Sequence, residues 1–264
     1  PFTPGFVRVP HCLEYRAFEQ DGAPSENYGV WAADQIEKVI LAEGPDTVGG
    51  LCLEPVTAGG GVIVPPDGYW ERVQEICRKY DILLHIDEVV CGVGRTGTWF
   101  GYQHYGIKPD MVTMAKGVAS GYAAIACLVT TEEVFDMFKD DAADPMNYFR
   151  DISTFGGCTA GPTAGIENIK IIEDENLLQN TTDMGHYMLD ALNALADKHA
   201  IIGRGDEPIF ARQEQHLVFL ACADCQQGRH QSDCVSRGWR AGSGVWLTSR
   251  RFRRFIATAD RGRA

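Results

Sequence analysis

The chain has 264 residues, 45% of them hydrophobic and 23% charged, with a net charge of −12 and a pI near 5.0. This composition is that of a globular protein long enough to bury a substantial core. The acidic balance argues against nucleic-acid binding, which depends on Lys and Arg neutralising phosphates, and no apolar run is long enough to span a membrane.

Basic residues are unevenly distributed along the chain. Residues 201–264 contain 11 Arg, no Lys and 6 acidic residues, whereas the first 200 residues carry a net charge of −17. The last part also lacks a helical or strand period over most of its length. We therefore predict that residues 1–202 belong to one domain and that residues 203–264 form an atypical tail. A reading-frame error or a spliced-on segment is the preferred interpretation of this tail, and a basic interaction tail is the alternative.

The beginning of the chain and its cysteines set the expected context. The sequence starts with Pro1, and its first 28 residues contain several Pro and Gly without periodicity, so we expect the N-terminal portion of the domain to be missing. Nine cysteines at irregular spacing favour reduced thiols and a cytoplasmic protein over a disulfide framework. Cys222 and Cys225 lack a second ligand pair at suitable spacing, so no metal site is predicted.

Apolar residues at helical spacing alternate with short apolar runs along the first 200 residues. The first helical period covers residues 31–43, and a second helix follows Asp67, which is its predicted N-cap. Unbroken apolar runs between amphipathic helices are typical of an α/β fold with a mostly parallel sheet and helices on both faces. Strands are predicted at residues 47–54, 82–87, 110–116 and 122–130, and further helices at residues 131–141, 160–175 and 177–198.

The connection between the last two predicted strands is short. Five residues, 117–121, join them, which is too few for a crossover helix. The sequence therefore predicts one antiparallel strand in an otherwise parallel sheet.

A glycine motif resembles a dinucleotide-binding loop. Gly92, Gly94 and Gly97 satisfy the G-x-G-x-x-G spacing after a predicted strand. The segment that follows, residues 98–106, is aromatic and broken by glycine, and no acidic residue lies at the position where one would bind a ribose. We therefore predict a glycine-rich turn and no nicotinamide site.

An aspartate and a lysine end two neighbouring apolar strands. In open α/β sheets, ligands bind at the carboxyl ends of the strands, where Asp87 and Lys116 are expected. If the chain stays extended, Val89 faces the same side as Asp87 and Glu88 faces away. A carboxylate beside an apolar side chain suits a cationic heteroaromatic ring, and an amine nearby could form an imine with an aldehyde, which is the chemistry of pyridoxal phosphate. The structural alternatives are an exposed strand-end lysine for Lys116 and a helix cap or turn residue for Asp87.

Four segments carry a resemblance to a known family. They are "EPV" at 54–56, "LLHIDEVVCGVGRTGTWF" at 83–100, "KPDMVTMAKG" at 108–117 and "STFGGCTAGP" at 153–162. Their order and spacing resemble the class III aminotransferases, which are pyridoxal 5'-phosphate enzymes of fold type I, from about residue 5 to residue 202. The resemblance implies that this part of the chain belongs to the large, cofactor-binding domain.

The resemblance also implies roles for individual residues. Lys116 would form the imine with the cofactor and act as general acid–base, while Asp87 would pair with the ring nitrogen and Val89 would pack on the ring. Thr154 would donate to the cofactor phosphate of a neighbouring subunit, which implies a homodimer or a higher homo-oligomer. Glu54 would lie near the substrate entrance, and its alternative is a strand-end residue satisfied by backbone.

Within the family, two segments indicate a substrate. Residues 100–110 and 150–162 are most similar to members that pass the amino group of taurine to pyruvate and release sulfoacetaldehyde and alanine. Another ω-amino acid or amine as donor is the alternative, and so is a truncated, inactive domain. The chain departs from the family at Val90, where many members have a cofactor-contacting glutamine, and in the tail, which does not continue the expected small C-terminal domain.

Overall fold

The structure is a computed structural model that describes residues 4–14, 17, 22–24, 26–139, 149, 152–196 and 198. The predicted atypical tail, residues 203–264, lies outside the described residues. No helix in the described part of the chain is both long and apolar enough to cross a membrane.

Four strands form one sheet with the order β1-β2-β3-β4. β1 pairs parallel with β2, and β2 pairs parallel with β3. β3 and β4 are antiparallel, which confirms the prediction made from the short connection between them. The strands are β1 (Gly50–Leu53), β2 (Leu83–Asp87), β3 (Met111–Met114) and β4 (Cys127–Thr130).

Five α-helices accompany the sheet in the described residues: α1 (Tyr28–Glu43), α2 (Tyr69–Tyr80), α3 (Glu132–Asp136), α4 (Ala160–Asp174) and α5 (Leu177–Ala196). The helical periods read from the sequence are confirmed, although α3 ends at Asp136, five residues before the predicted end at residue 141. Thr131 caps α3 by accepting a hydrogen bond from the backbone N–H of Val134.

The predicted cap of α2 was wrong. The N-cap is Gly68, one residue later than Asp67, and its backbone is left-handed with φ +79°. The Tyr69 N–H donates to the Pro66 carbonyl at 3.1 Å, so a tight turn starts the helix. α1 approaches this turn so closely that a Cβ on Gly29 would overlap the Asp67 carbonyl oxygen. Close packing of the helices thus determines where α2 begins.

The core lies on one face of β1 and β2, beneath α1 and α2. Ile36 of α1, Val73 and Ile76 of α2 and Ile86 of β2 are fully buried there. A second cluster, which includes Met114 at the end of β3, packs near α4. Because side chains alternate along a strand, the neighbours of these core residues point to the opposite face.

That opposite face carries the polar side chains of the sheet. His85 and Asp87 of β2 and Thr113 of β3 are all half-buried on it, and Cys52 of β1 is exposed. The sheet therefore combines an apolar face under the helices with a polar face that runs toward the carboxyl ends of the parallel strands.

Candidate active site

Asp87 and Lys116 emerge at the same edge of the sheet. Asp87 is the last residue of β2 and pairs in register with Thr113 of β3. Lys116 follows three residues after Thr113, and the carboxyl ends of parallel strands lie at one edge. The prediction that a single strand runs through Lys116 was wrong, because β3 ends at Met114 and the lysine opens a 3₁₀ turn, Lys116–Ala119.

The turn that carries Lys116 is held by tertiary contacts. Lys116 is exposed and has φ +30°, a left-handed conformation that is costly for a residue with a side chain. The Asn168 side chain of α4 donates to the carbonyls of Gly117 and Val118 at 2.8 and 3.2 Å. Val118 is buried and packs close to Gly165 of α4. These contacts with α4 hold the turn and offset its backbone strain. No local pattern in the sequence indicated that Asn168 has this function.

Asp87 is oriented by the backbone that follows it. Its Oδ1 accepts a hydrogen bond from the Val89 N–H at 2.9 Å. The chain remains paired through Glu88, whose N–H donates to the Thr113 carbonyl at 2.7 Å, and then turns at Val89. The extended conformation assumed for Val89 was therefore wrong, because the Asp87 carboxylate itself stabilises a turn at this point.

Glu88 points away from Asp87 into the protein, as predicted. Its side chain is 1% exposed and accepts hydrogen bonds from the N–H groups of Gly101 (3.0 Å) and Tyr102 (2.7 Å). Burial raises the pKa of Glu88 to about 7, although both hydrogen bonds oppose this effect. Glu88 thus attaches the 3₁₀ turn Gly101–Tyr105 to the end of β2, a function that the sequence alone did not reveal.

Glu54 lies at the same edge, one residue beyond β1. Its Oε2 accepts a hydrogen bond from the Ala58 N–H at 3.0 Å, which agrees with the alternative that backbone satisfies this side chain. The pKa of Glu54 is raised, chiefly because the side chain is buried, although the hydrogen bond from Ala58 opposes this effect. The negative charge of Asp87 also raises this pKa, and the positive charge of Lys116 lowers it. Glu54 therefore lies within electrostatic range of both predicted catalytic residues.

A cavity of about 310 Å³ opens beside the two carboxylates. Glu54 and Asp87 both line it, together with His11, Cys12, Cys52 and Tyr69. Lys116 is not part of its wall. The cavity therefore belongs to the acidic side of the site.

Thr154 is not on the sheet. It occupies an exposed turn shortly before α4. Among the residues that the structure describes, no hydrogen bond or ion pair joins Thr154 to Asp87 or Lys116. Strand order and direction thus bring Asp87, Val89, Lys116 and Glu54 to one edge of the sheet, whereas the role of Thr154 stays a prediction.

The glycine motif forms a turn, as predicted. Gly94 and Gly97 have φ +86° and +82°, and a Cβ on Gly97 would overlap the Thr182 hydroxyl of α5. The next element is the five-residue 3₁₀ turn at Gly101–Tyr105, so no α-helix starts where a pyrophosphate would bind. The glycines allow close packing of α5 against the segment that follows Asp87.

Comparison with known proteins agrees with this geometry. Residues 1–205 match the family model described as aminotransferase class-III. The chain is 74% identical over 203 residues to the hypotaurine/taurine–pyruvate aminotransferase of Paracoccus denitrificans and 70% identical over 203 residues to the taurine–pyruvate aminotransferase of Rhodobacter capsulatus. Each alignment covers 77% of this chain and 43% of the relative. The taurine–pyruvate aminotransferase of Bilophila wadsworthia is 52% identical over 98% of this chain and 56% of its own length.

Solved structures show the same fold. An omega transaminase from Pseudomonas jessenii, solved in complex with PMP, is 38% identical with a TM-score of 0.67, and the match covers 75% of this chain and 43% of that one. A thermostable (S)-enantioselective omega-transaminase from Thermomicrobium roseum is 36% identical with a TM-score of 0.66, again over 75% of this chain and 43% of the other. The chain spans about half the length of the curated relatives it matches, and it belongs to the class III aminotransferases.

Proposed function

We propose that this chain is part of a pyridoxal-phosphate enzyme that transfers the amino group of taurine to pyruvate, giving sulfoacetaldehyde and alanine. The observation that carries the proposal is the delivery of Asp87 and Lys116 to one edge of the sheet. The charges of both residues shift the pKa of the nearby Glu54 carboxyl. The names of the relatives from Paracoccus and Rhodobacter support taurine and pyruvate as the substrates.

The side chains at this edge fit pyridoxal phosphate. The Asp87 carboxylate is half-buried and fixed by the Val89 N–H, so it is prepared to accept a hydrogen bond from a protonated ring nitrogen. Val89 follows in the turn and supplies an apolar surface for the ring. Lys116 supplies the amine from the turn that follows the adjacent strand β3, as expected for a cofactor aldehyde held between the two residues.

Each residue then has a defined role. Bound pyridoxal phosphate acts as an electron sink that stabilises negative charge on the carbon carrying the amino group. Asp87 holds the ring nitrogen protonated, because an opposite charge at hydrogen-bond distance favours the charged form. Lys116 Nζ would hold the cofactor through its aldehyde when no donor is present, and would act as the general acid–base that removes a proton from the amino-bearing carbon of the donor and returns one during transfer. We assign Glu54 to the substrate entrance beside the cavity.

We further infer that two copies of the chain form a homodimer. Large apolar side chains are exposed around Thr154, with Ile152 93% and Phe155 65% exposed, and Met137 is 74% exposed after α3. Clusters of exposed apolar side chains mark protein–protein interfaces. Pairing through this surface would cover them and direct Thr154 toward the phosphate of a cofactor in the partner subunit.

The experiment that tests the proposal traps the cofactor on its lysine. The 264-residue chain is mixed with pyridoxal phosphate, reduced with borohydride and digested, and we expect the cofactor mass on the peptide that contains Lys116. Lys116→Ala should abolish this adduct. Lys108→Ala is the matched control, because Lys108 is also exposed but precedes β3 and so lies at the opposite end of the strand. Equal labelling of wild type and Lys116→Ala would refute the assignment.

Substrate use is measured as alanine formed from pyruvate with taurine, hypotaurine or putrescine as donor. We expect taurine to be used best by the 264-residue chain. Faster transfer from putrescine would indicate an amine:pyruvate aminotransferase. An adduct on Lys116 without alanine from any donor would indicate a cofactor-binding domain that is inactive at this length.

A further inference from the structure

We propose that His85 and Thr113 form a positioning pair for the Asp87 carboxylate, and that protonation of His85 weakens cofactor binding. This inference rests on the proposed function, since it concerns the carboxylate assigned to the ring nitrogen. It assigns a role to two residues that the proposed reaction does not otherwise use.

The geometry follows from the register of the sheet. His85 and Asp87 are two residues apart on β2, so both side chains lie on the polar face. Thr113 pairs in register with Asp87 across the parallel ladder. The Nε2 of His85 lies 2.6 Å from the Thr113 Oγ1, a hydrogen bond that joins β2 to β3. The His85 imidazole is therefore fixed on the same face of the sheet as the Asp87 carboxylate, two residues before it on β2.

The hydrogen bond also restrains the end of β3. Thr113 accepts the Glu88 N–H through its carbonyl at 2.7 Å while its hydroxyl contacts His85. Glu88, which follows Asp87, and His85, which lies two residues before it, are thus both hydrogen-bonded to Thr113. Loss of the hydroxyl would loosen the strand pair on the face where Asp87 must point.

The surroundings of His85 keep its ring neutral at neutral pH. Burial lowers the pKa of His85 below its ordinary value of 6.5, and the negative charge of Asp87 opposes this effect. The residue facing His85 from β1 is Cys52. Burial raises the pKa of the Cys52 thiol, with smaller contributions from Asp87 and Glu54, so the thiol is uncharged. From β3, Met111 and Thr113 contribute no charge.

The other ionisable groups of the site are associated with the Asp87 end of β2. Glu54 and Lys116 are at the same edge of the sheet, and His11 lines the cavity that Asp87 also lines. When His85 gains a proton, its positive charge attracts the Asp87 carboxylate and competes with the ring nitrogen for it. Cofactor affinity should therefore fall as the pH falls through the pKa of His85.

The test compares dissociation constants of pyridoxal phosphate for wild type and His85→Gln between pH 5 and pH 8, measured by quenching of tryptophan fluorescence. Glutamine keeps a nitrogen that can reach the Thr113 hydroxyl but takes up no proton. We expect similar affinities at pH 8 and a wild-type affinity that declines relative to that of the variant as the pH falls through the pKa of His85, by up to about fivefold once His85 is protonated, since two charges in a water-like medium interact by about 1 kcal/mol. A ratio that stays constant across this range would overturn the inference.

Two controls separate this effect from others. His11→Gln removes a histidine that lines the cavity beside Asp87 and should keep the pH dependence of the wild type. Loss of that dependence in His11→Gln would overturn the inference. Thr113→Ser keeps the hydroxyl and should bind like wild type at pH 8, whereas Thr113→Val should bind more weakly. Equal binding by the serine and valine variants would also overturn it.

A measurement without cofactor completes the test. In the cofactor-free chain, NMR titration of the His85 ring should give a lower pKa in Asp87→Asn than in wild type, because the variant removes the charge that favours the imidazolium. An unchanged pKa would overturn the inference while leaving the proposed function intact. If the wild-type chain binds no cofactor at pH 8, the proposed function fails and the inference fails with it.

Discussion

Glu88 provides a prediction about stability that does not depend on the cofactor. Its carboxyl is buried between β2 and the 3₁₀ turn Gly101–Tyr105, and burial raises its pKa from the ordinary 4.5 to about 7. A group whose pKa is higher in the folded state binds its proton more tightly there than in the unfolded chain. Its contribution to stability is therefore fully present below pH 4.5 and is lost as the pH rises through about 7.

The size of the effect follows from the two pKa values. The interval from 4.5 to about 7 corresponds to about 3 kcal/mol of unfolding free energy. Glu88→Gln cannot ionise, so it escapes this loss. The glutamine amide keeps one oxygen that can accept from the N–H of Gly101 or Tyr102, but its NH₂ group then faces the N–H of the other residue. The lost hydrogen bond lowers the unfolding free energy by an amount that does not change with pH.

The assay is urea unfolding followed by tryptophan fluorescence at pH values from 4.5 to 8. We expect the difference in unfolding free energy between Glu88→Gln and wild type to shift by about 3 kcal/mol in favour of the variant across this range. Glu71→Gln, a substitution of an exposed glutamate on α2, is the matched control and should give a small, constant difference. A constant difference for Glu88→Gln as well would refute the reasoning.

Two further predictions concern packing and surface charge. Gly97→Ala should destabilise the chain by about 2 kcal/mol, because the new Cβ would overlap the Thr182 hydroxyl and φ at this position is +82°. Gly59→Ala is the control, since a Cβ at Gly59 would meet no atom within 4 Å. Equal urea midpoints for the two variants would contradict the prediction. Glu37→Gln should cost at most about 1 kcal/mol at pH 7. The hydrogen bond from Lys79 lowers the pKa of Glu37, so this cost should decline as the pH falls through that lowered pKa, and also in high salt. A cost that changes neither on acidification nor with salt would contradict the prediction.

Local pattern predicted much of the fold correctly. Short apolar runs and helical periods depend on neighbouring residues alone, so the sequence revealed the four strands, the main helices and the antiparallel pairing of β3 and β4. The carboxyl ends of parallel strands meet at one edge in any such sheet, so the delivery of Asp87 and Lys116 to one edge was also predictable.

Details of the turns were not predictable from local pattern. The turn at Lys116 is held by Asn168, whose amide bonds a carbonyl 51 residues earlier in the chain. The hydrogen bond between His85 and Thr113 spans 28 residues, and Glu88 accepts its hydrogen bonds from Gly101 and Tyr102, which lie 13 and 14 residues later. The sequence by itself determined which residues reach the edge of the sheet, because that depends on strand periods and strand direction. Only the tertiary structure decided how those residues are oriented and charged, because orientation and pKa depend on burial and on partners distant in the chain.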